Sequence, residues 1–407
     1  MSQKNILPLL FLTLLLDVIG LGMLFPIIPA LFTDPASPSF VLHGYSHHMQ
    51  YFFAGLTTAV FGVMQFIASP FLGELSDIHG RKKLLLLGVA VLAVSNAVFA
   101  FGVSIGSLVI IIGSRAVAGV AGANFSIAQA AIADVTPPEL RARNFGLIGA
   151  AFGLGFVVGP LLGGWITAVS GSPAVPFFFA SLLGVVNATM VYFVFPETHP
   201  TSTSDKKITL MKAFHNIQDA LEDIDVRGVY LVGFLSMLGF TFFTSFVSVY
   251  LVERFAFSES MTGTFFAVVG IWVIIAQALV VRFVTARAGE YSILRFALPI
   301  LALVIAIYPF VPNSVYLFLT MPFMASSVAL VSTCVPSLVS KGVDADKQGA
   351  ALGINGSLQA LTGGIAPLAA GFVSSFLGLT GAFLIGSGVV VIALIVLVLT
   401  RPPAVRV

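Results

Sequence analysis

The sequence predicts an all-α integral membrane protein with twelve transmembrane helices in two six-helix repeats. Of its 407 residues, 58% are apolar and only 9% are charged, whereas a soluble domain carries about 25% charged residues. Twelve apolar runs are each long enough to cross a bilayer core, which requires about 20 residues per helix. Six of these runs precede a long polar interruption in the middle of the chain, and six follow it.

The polar interruption divides the chain into two halves. We expect an N-terminal half at 1–195, a cytoplasmic linker at 196–227 and a C-terminal half at 228–407. Within the linker, apolar residues recur at helical spacing over 208–223, which predicts an amphipathic surface helix. Short polar turns separate most of the predicted spans, which are 6–32, 50–75, 84–103, 107–133, 144–168, 175–195, 228–252, 261–282, 291–310, 314–338, 348–374 and 380–400.

The first span and the distribution of bases predict the topology. The first span follows Met1-Ser2-Gln3-Lys4, is too long for a signal-peptide core and lacks an A-x-A site after it, so we expect a retained helix. Cytoplasmic loops of membrane proteins are enriched in Lys and Arg. With the N-terminus inside, all but two of the 19 Lys and Arg residues, Arg115 and Arg254, fall on the cytoplasmic side. Both termini are therefore predicted to be cytoplasmic.

The two halves resemble each other, which indicates an internal duplication. A shift of 207 residues overlays the fifth predicted span on the eleventh and matches a Pro-Leu pair and three glycines. Duplicated halves around a site at the bilayer midplane are a design of secondary transporters. The matched pairs are Gly146 and Gly353, Gly149 and Gly356, Pro160 and Pro367, Leu161 and Leu368, and Gly164 and Gly371.

Two charged residues lie well inside the predicted spans, Asp17 in the first and Arg115 in the fourth. An ionisable group at the bilayer centre costs at least about 2.5–3.5 kcal/mol, so such groups usually pair, face a cavity or carry protons. Two interpretations follow. Either Asp17 exchanges a proton under the influence of a nearby Arg115 guanidinium, or the two residues form a static buried pair that fixes helix packing.

The turn between the second and third spans is strongly charged. Gly73 to Lys83 contains two acids, a histidine and three bases within eleven residues. Such a turn must lie in water at one face of the bilayer, and its bases place that face in the cytoplasm.

The fifth span carries a run of glycines around Pro160. Glycine lets a neighbouring helix approach closely, and a Gly-Pro pair can bend a membrane helix. Simple tight packing is the alternative explanation for such a run.

These motifs resemble those of the major facilitator superfamily of transporters. The spacing G-x-x-x-D-x-x-G-[RK]-[RK] of the charged turn resembles the loop between helices 2 and 3 of that family. L-D-x-x-G-x-G-x-x-x-P over 16–26, R-x-x-x-G over 115–119 and G-x-x-x-G-P-x-x-G-G over 155–164 are similar to signatures of its drug:proton antiporter branch. The segments 132–146 and 339–349 resemble tetracycline exporters, so the similarity extends over nearly the whole chain.

The resemblance implies a major facilitator fold and roles for individual residues. Asp17 and Arg115 would couple transport to protons. Asp77 would orient the charged turn while Arg81 bridges to Asp134, which would close the cytoplasmic side in the outward-facing state. The implied residues of this cytoplasmic gate are Gly73, Asp77, Gly80, Arg81 and Asp134, and those of the helix-5 antiporter motif are Gly155, Gly159, Pro160, Gly163 and Gly164.

Three departures from the family pattern leave the substrate open. Ile78 replaces the base usual after the loop aspartate, and the equivalent loop of the second half, Arg282 to Arg287, lacks its glycine and acid. The third span carries Ser95-Asn96 where tetracycline exporters have an acid that is linked to drug handling.

We expect the remaining polar side chains within the spans to line a substrate cavity, because apolar walls with a few amides suit amphiphilic solutes. Each amide could equally connect neighbouring helices. Three histidines, His43, His47 and His48, cluster in the first external loop, where a solvated loop is a simpler interpretation than a metal site. The candidate cavity residues are Gln65, Asn96, Asn124, Gln129, Asn187, Gln277, Asn355 and Gln359.

Other classes of function lack support in the sequence. The net charge is only +2, so nucleic acid is not an expected partner, and the single Cys334 allows no disulfide within the chain. No G-x-x-x-x-G-K-[ST] loop and no nucleophile-and-base set is present, so we expect neither an ATPase nor an enzyme, and neither a metal nor a cofactor.

We therefore predict a secondary active transporter that exports small amphiphilic molecules in exchange for protons by alternating access, as a monomer in a bacterial inner membrane. One rival is uptake or facilitated diffusion of a metabolite such as a sugar, peptide or organic acid. Another is a transporter-like sensor or lipid scramblase without coupled transport. Asp17, Arg115 and the glycine run favour the antiporter, since a sensor requires none of them.

Overall fold

The computed structural model describes residues 6–136, 141–199, 218, 226–343 and 348–400. Most of the predicted linker 196–227 lies outside the described residues, as does nearly all of the predicted surface helix at 208–223. The helices of the described chain are α1 (Ile6–Gly22), α2 (Ile28–Phe32), α3 (His47–His79), α4 (Arg81–Ser104), α5 (Leu108–Ala121), α6 (Asn124–Asp134), α7 (Arg141–Ser170), α8 (Val175–Val194), α9 (Arg227–Phe255), α10 (Glu259–Ile275), α11 (Arg282–Thr285), α12 (Glu290–Ile307), α13 (Ser314–Lys341) and α14 (Gln348–Leu399).

The predicted all-α membrane fold class is confirmed. Ten helical stretches of the described chain are long and apolar enough to cross a membrane, and α1 is apolar but shorter. α14 combines the eleventh and twelfth predicted spans, which meet at Gly378 with φ 68°. Glycine is required there because residues with a Cβ atom rarely adopt a positive φ. Each of the twelve predicted spans coincides with helix in the described chain.

The first predicted span, 6–32, is not one continuous helix. α1 ends at Gly22, and α2 begins only at Ile28. Pro26 provides the physical reason, since proline has no N–H to donate and disfavours helical backbone in the residue before it. Tight hydrogen bonds close the intervening turn, for example from Phe25 N to Gly22 O at 3.2 Å.

Two further spans contain breaks that hydropathy does not reveal. The fourth is divided at Gly122 and Ala123 into α5 and α6. The eighth contains a π-helical segment, Ala276–Val281, between α10 and α11. Such segments are rare and frequently occur at functional sites. The predicted cavity residue Gln277 lies in this segment.

The chain divides into two compact units, each of which takes most of one sequence half and a short piece of the other. Unit 1 consists of Met1–Gly44, Val63–Ala213 and Phe257–Ala267. Unit 2 consists of Tyr45–Gly62, Phe214–Ala256 and Val268–Val407. α3 and α10 therefore each contribute one end to unit 1 and the other end to unit 2.

In unit 1, α1 packs against α7 and α8, and α4 packs against α5 and α8. Their shared core contains fully buried aliphatic side chains such as Leu10, Leu85, Ile127 and Val191. Lipid tails are as apolar as leucine, so in a bilayer these contacts stabilise the unit mainly through close van der Waals packing.

In unit 2, α9 packs along α14, and α12 packs against α13 and α14. Tyr308, which follows α12, is fully buried at their junction. Its carbonyl oxygen accepts a hydrogen bond from Tyr250 Oη at 2.8 Å, and its ring lies 4.6 Å from that of Phe243. Phe243 in turn lies 5.2 Å from the ring of Phe383. These aromatic contacts connect α9, α12 and α14.

A close helix crossing occurs in each unit at repeat-related positions. In unit 1, α7 crosses α10 where a Cβ on Gly164 would lie 3.2 Å from Gly263 Cα. In unit 2, α14 crosses α3 where a Cβ on Gly371 would lie 3.2 Å from Gly55 Cα. Gly164 and Gly371 are one of the pairs that the shift of 207 residues matches. The duplication read from the sequence thus has a counterpart in the packing.

Candidate functional site

The carboxylate of Asp17, on α1, lies between two buried amides of unit 1. Asn124 Nδ2 on α6 donates to Asp17 Oδ2 at 3.4 Å, and Asn187 Nδ2 on α8 lies 3.4 Å from Asp17 Oδ1. Both asparagines are fully buried, whereas Asp17 is only partly buried. Two of the predicted cavity amides are therefore partners of the predicted proton carrier.

This arrangement suits either protonation state of Asp17. The ionised carboxylate accepts from the two amide nitrogens. The amide oxygens Asn124 Oδ1 and Asn187 Oδ1 are buried, and no other described residue bonds to them. A proton on Asp17 would turn one carboxyl oxygen into a donor, and an amide that rotates about its Cβ–Cγ bond could present its oxygen as the acceptor. The described hydrogen-bond partners of Asp17 are thus neutral amides.

Beside Asp17, α1 approaches α7 at backbone contact because α7 presents glycines there. A Cβ on Gly159 would lie 2.6 Å from Ile19 O, and a Cβ on Gly163 would lie 2.6 Å from Met23 O. Such distances are too short for real Cβ atoms, and backbone atoms cannot rotate away as a side chain can. α1 would have to move for any larger residue to fit.

The remaining residues of the predicted helix-5 motif extend this surface. A Cβ on Gly155 would meet the Val18 side chain at 2.5 Å, and a Cβ on Gly22 would lie 2.9 Å from the Pro160 ring. The contact is thus reciprocal, with glycines on both helices. Gly164 instead faces α10, at the crossing described above. We name Gly155, Gly159 and Gly163 the glycine strip.

Arg115 is buried in unit 1 beside an aromatic ring. It is 2% exposed, and its guanidinium carbon lies 5.7 Å from the centroid of the Phe99 ring on α4. Phe99 in turn packs against Phe177 of α8, with ring centroids 4.2 Å apart. A cation over an aromatic face is stabilised by about 0.5–2 kcal/mol. The described contacts of Asp17 are therefore with two amides, and a described contact of Arg115 is with an aromatic ring.

The other predicted cavity residues are dispersed over the two units. In unit 1, Gln65 donates to Gly122 O at 3.0 Å, Asn96 is buried near Gly20 and Gln129 is exposed. In unit 2, Asn355 is buried, Gln277 donates to Ser332 Oγ at 3.4 Å and Gln359 is exposed. None of them lines the apolar groove of 540 Å³ between α4 and α8 in unit 1.

The predicted cytoplasmic gate residues meet around Arg81, the first residue of α4. Arg81 Nε lies 3.0 Å from Asp134 Oδ2 at the end of α6, and a terminal nitrogen lies 2.5 Å from Asp77 Oδ1. Gly73 O and Ser76 Oγ accept further hydrogen bonds from the guanidinium. The Arg81 side chain is only 6% exposed, so this network is more strongly coupled than the exposed ion pairs that contribute about 0–1 kcal/mol.

A further carboxylate, Glu197, joins this network, although the sequence analysis did not select it. Its oxygens accept hydrogen bonds from Arg81 N at 2.7 Å and Lys82 N at 3.2 Å. These are unpaired amides of the first turn of α4, where a negative charge is stabilising. Gly80 adopts φ 92° at the entry to α4. We name Asp77, Arg81, Asp134 and Glu197 the Arg81 cluster.

Unit 2 contains an ion pair whose base occupies the position related to Asp134. Lys341, at the end of α13, forms an ion pair with Glu290, the first residue of α12. Ser337 Oγ donates to the same Glu290 oxygen at 2.8 Å. Lys341 lies 207 residues after Asp134, so the duplication places a base where the first half has an acid. Glu290 lies three residues after Arg287, the end of the loop that lacks the family's glycine and acid.

The fold, the repeat-related crossings and the polar groups held among apolar helices define a multi-pass membrane transporter. The chain belongs to the Major Facilitator Superfamily, whose profile matches residues 10–367. Its members are transporters, so the prediction that the chain is not an enzyme is confirmed.

Individual relatives are similar over most of their length. The chain is 31% identical to the class C tetracycline resistance protein of Escherichia coli over 361 residues, which cover 89% of this chain and 87% of that protein. It is 27% identical to major facilitator superfamily domain-containing protein 10 of Bos taurus over 406 residues, which cover 88% and 85% of the two chains. The predicted resemblance to tetracycline exporters is therefore confirmed.

One solved structure is similar in both sequence and fold. The crystal structure of the human organic anion transporter MFSD10 (TETRAN) is 25% identical, with a TM-score of 0.74 over 98% of this chain and 100% of that chain. The D-xylose-proton symporter has a TM-score of 0.77 at 17% identity and covers 99% of each chain. The latter likeness concerns the fold alone.

Proposed function

We propose that this chain is a proton-coupled exporter of small amphiphilic molecules that works by alternating access. The observation that carries the proposal is the carboxylate of Asp17, held by Asn124 and Asn187 and lying beside the glycine strip. An ionisable group within an apolar helix is costly and is generally kept for function. Amide partners allow Asp17 to change its charge without breaking an ion pair.

In this mechanism, proton binding at Asp17 alters the segment of α1 that contacts α7. Loss of the negative charge reverses one of the hydrogen bonds between Asp17 and the amides. The glycine strip allows α1 to remain in backbone contact while this happens, which keeps the protein sealed beside the proton site. The sequence halves 1–195 and 228–407 would then rock between two states that expose the substrate to opposite sides.

The Arg81 cluster is proposed to act as a cytoplasmic gate. A bond present in only one conformational state biases the equilibrium toward that state. Arg81 brings acids from α3 and α6 together, and Glu197 connects the network to the segment after α8. On this proposal both termini are cytoplasmic, the membrane is a bacterial inner membrane and the functional unit is a monomer.

The relatives support export and leave two substrate classes to test. Several relatives are tetracycline resistance proteins, which supports efflux of an amphiphilic compound. The related structure of a human organic anion transporter supports a second candidate, transport of organic anions. Arg115 favours the second candidate, because it is a buried base in unit 1 and a positive charge can attract an organic anion.

Purified protein in liposomes that contain a pH-sensitive dye would test the proposal. Addition of a transported compound should drive protons across the membrane in the opposite direction, and an imposed pH gradient should drive accumulation of the compound. Substrate movement without proton movement would indicate facilitated diffusion, and the absence of both would favour a sensor. Arg115→Gln compared with Arg115→Lys should separate the substrate classes, since only a buried positive charge aids an organic anion.

A further inference from the structure

A polar network lies at the end of α3 opposite to the end that adjoins the Arg81 cluster. His47 is the first residue of α3, and Tyr51 follows one turn later. Glu253 lies near the end of α9. All three belong to unit 2, because the beginning of α3 is part of that unit. None of them was assigned a role in transport.

The network connects two exposed titratable groups through a buried hydroxyl. His47 Nε2 lies 3.0 Å from Tyr51 Oη, and Tyr51 Oη lies 3.0 and 2.8 Å from the two carboxylate oxygens of Glu253. Tyr51 is only 5% exposed, whereas His47 and Glu253 are exposed. Protons from the adjacent solution can therefore reach either end, and the central hydroxyl is held in place.

The hydrogen bonds of Gln50 determine whether one nitrogen of His47 carries a hydrogen. Gln50 is 7% exposed, and its Nε2 donates to Tyr45 O at 3.3 Å. That bond orients the amide so that Gln50 Oε1, which can only accept, faces His47 Nδ1 at 3.1 Å. His47 Nδ1 must therefore carry a hydrogen. The proton content of the network is then decided at His47 Nε2, Tyr51 and Glu253.

The hydrogen bonds from His47 to Tyr51 and from Tyr51 to Glu253 can both form only when the network gains one proton. With an ionised Glu253 and a neutral His47, Tyr51 has a single hydrogen for two acceptors, the carboxylate and Nε2. One added proton removes this conflict. It either sits on Nε2, which donates to Tyr51 while Tyr51 donates to Glu253, or on Glu253, which donates to Tyr51 while Tyr51 donates to Nε2.

These two arrangements contain the same number of hydrogens and nearly the same heavy-atom positions. Passing from the first to the second, the Nε2–H hydrogen moves to Tyr51 Oη and the Tyr51 hydrogen moves to Glu253. The imidazolium and carboxylate become a neutral imidazole and a neutral acid, and Tyr51 is unchanged. The geometry thus fits a single shared proton.

We propose that His47, Tyr51 and Glu253 form a proton-binding site that ties the beginning of α3 to α9. With one bound proton, the hydrogen bond between His47 and Tyr51 and the one between Tyr51 and Glu253 can form at the same time. The link between α3 and α9 is therefore tighter with the proton than without it. The placement of His47 on the external side of the membrane rests on the proposed orientation, whereas the proton site itself does not.

The neighbouring polar groups His48 and Arg254 interact with other residues, so the site consists of His47, Tyr51 and Glu253. His48 donates from Nδ1 to Ser375 O of α14, so its ring is engaged with another helix. Arg254 of α9 interacts with the Tyr250 hydroxyl. Among the described residues, no group of three or more His, Cys, Asp or Glu side chains is arranged to hold a metal ion. A proton is the ligand that this geometry accommodates.

The link can be measured by the distance between spin labels on the two helices in nanodiscs. The only cysteine of the chain is Cys334, so Cys334→Ala gives a cysteine-free parent. Met49→Cys on α3 and Val252→Cys on α9 then place one label on each side of the link, within unit 2. Raising the pH from about 5.5 to about 8.5 spans the range in which histidine normally titrates.

We expect the fraction of molecules with the short distance to fall about two- to fivefold over this range, as for a partly exposed charged contact. His47→Gln should abolish the pH dependence, because an amide does not gain or lose a proton over this range. Tyr51→Phe should also abolish the pH dependence, at a longer distance. Two matched controls, His43→Gln in the preceding loop and Tyr45→Phe, which keeps its carbonyl oxygen for Gln50, should behave as the parent does.

A distance that does not change with pH in the parent would overturn the proposal. A pH dependence that survives in His47→Gln would also overturn it. The measurement requires neither substrate nor transport. If the link titrates but the liposome assay detects no proton exchange, only the proposed export function fails, and the reverse result would remove only this site.

Discussion

The glycine strip offers the sharpest prediction, because one methyl group distinguishes the variant from the native protein. Gly159→Ala would place a Cβ 2.6 Å from Ile19 O and 3.0 Å from Gly22 Cα. Ordinary van der Waals contact begins at about 3.4 Å, so α1 must shift outward by several tenths of an ångström or α7 must bend. Overpacking of this kind typically costs about 1–3 kcal/mol. Even alanine should therefore disturb the contact.

The same helix supplies the control. Gly149→Ala makes the identical chemical change on α7, but a Cβ there meets nothing within 4 Å. Replacing a helical glycine with alanine at an open position favours the helix by up to about 1 kcal/mol. The two variants should thus change stability in opposite directions. Only liposomes with Gly159→Ala should also leak protons, because α1 and α7 would no longer pack closely beside Asp17.

Thermal unfolding in detergent measures the first effect, and dye-reported proton leak in liposomes measures the second. We expect Gly159→Ala to unfold at a lower temperature than the native protein and Gly149→Ala at an equal or higher temperature. Equal stability and equal proton tightness in the two variants would show that the strip does not hold α1 against α7. The packing argument would then be refuted.

Three further outcomes test the charged residues. Arg81→Asp should open the gate and reduce transport, and combining it with Asp134→Arg should restore more activity than either single change shows; a double variant no better than the worse single one would exclude a direct pair. Glu197→Gln keeps one acceptor oxygen but loses the negative charge at the start of α4, which should cost about 0.3–1 kcal/mol, measured by thermal unfolding, and an unchanged melting temperature would contradict that role. Arg115→Ala should lower turnover without altering the pH profile of transport, since Asp17 is held by Asn124 and Asn187 whereas Arg115 lies against Phe99; a displaced pH optimum in the transport assay would contradict this separation.

Hydropathy was sufficient to predict the fold class, because crossing a bilayer requires long apolar helices whatever their neighbours are. It could not locate the ends of these helices within a span. The break after Gly22 and the π-helical segment at Ala276–Val281 depend on local hydrogen bonding that an apolar run does not report. Pro26 was a visible signal for the first break.

The contacts among the candidate site residues were harder to predict from the sequence than the residues themselves. Asp17, Asn124 and Asn187 were all selected from the sequence, but as a proton carrier and as cavity amides, and only the packing of α1, α6 and α8 makes them one site. Arg81 and Asp134 were paired through resemblance to a family, since 53 residues separate them along the chain.

Glu197 and Glu290 were not selected because each lies just outside a recognisable motif. Glu197 follows α8 directly, and its position beside the start of α4 arises from the fold of unit 1. Glu290 follows a loop that lacks the family pattern, and its partner Lys341 is one helix away. A search for charges at the ends of every span, rather than within motifs, would have found both.

The proton role of Asp17 is the central claim, and Asp17→Asn tests it most directly. Asparagine has the same shape, and its N–H group can donate to Asn124 Oδ1 or Asn187 Oδ1, which no other described residue engages. The variant should therefore fold and still exchange substrate down a gradient, but it cannot carry a proton at this position.

The deciding measurement is substrate accumulation in liposomes under an imposed pH gradient. A gradient of about one pH unit supports about a tenfold substrate gradient for each proton exchanged, because about 1.4 kcal/mol corresponds to a factor of ten. We predict such accumulation for the native protein and none above equilibration for Asp17→Asn, with substrate exchange at equal pH retained. Full accumulation by Asp17→Asn would show that protons are carried elsewhere and would contradict the mechanism.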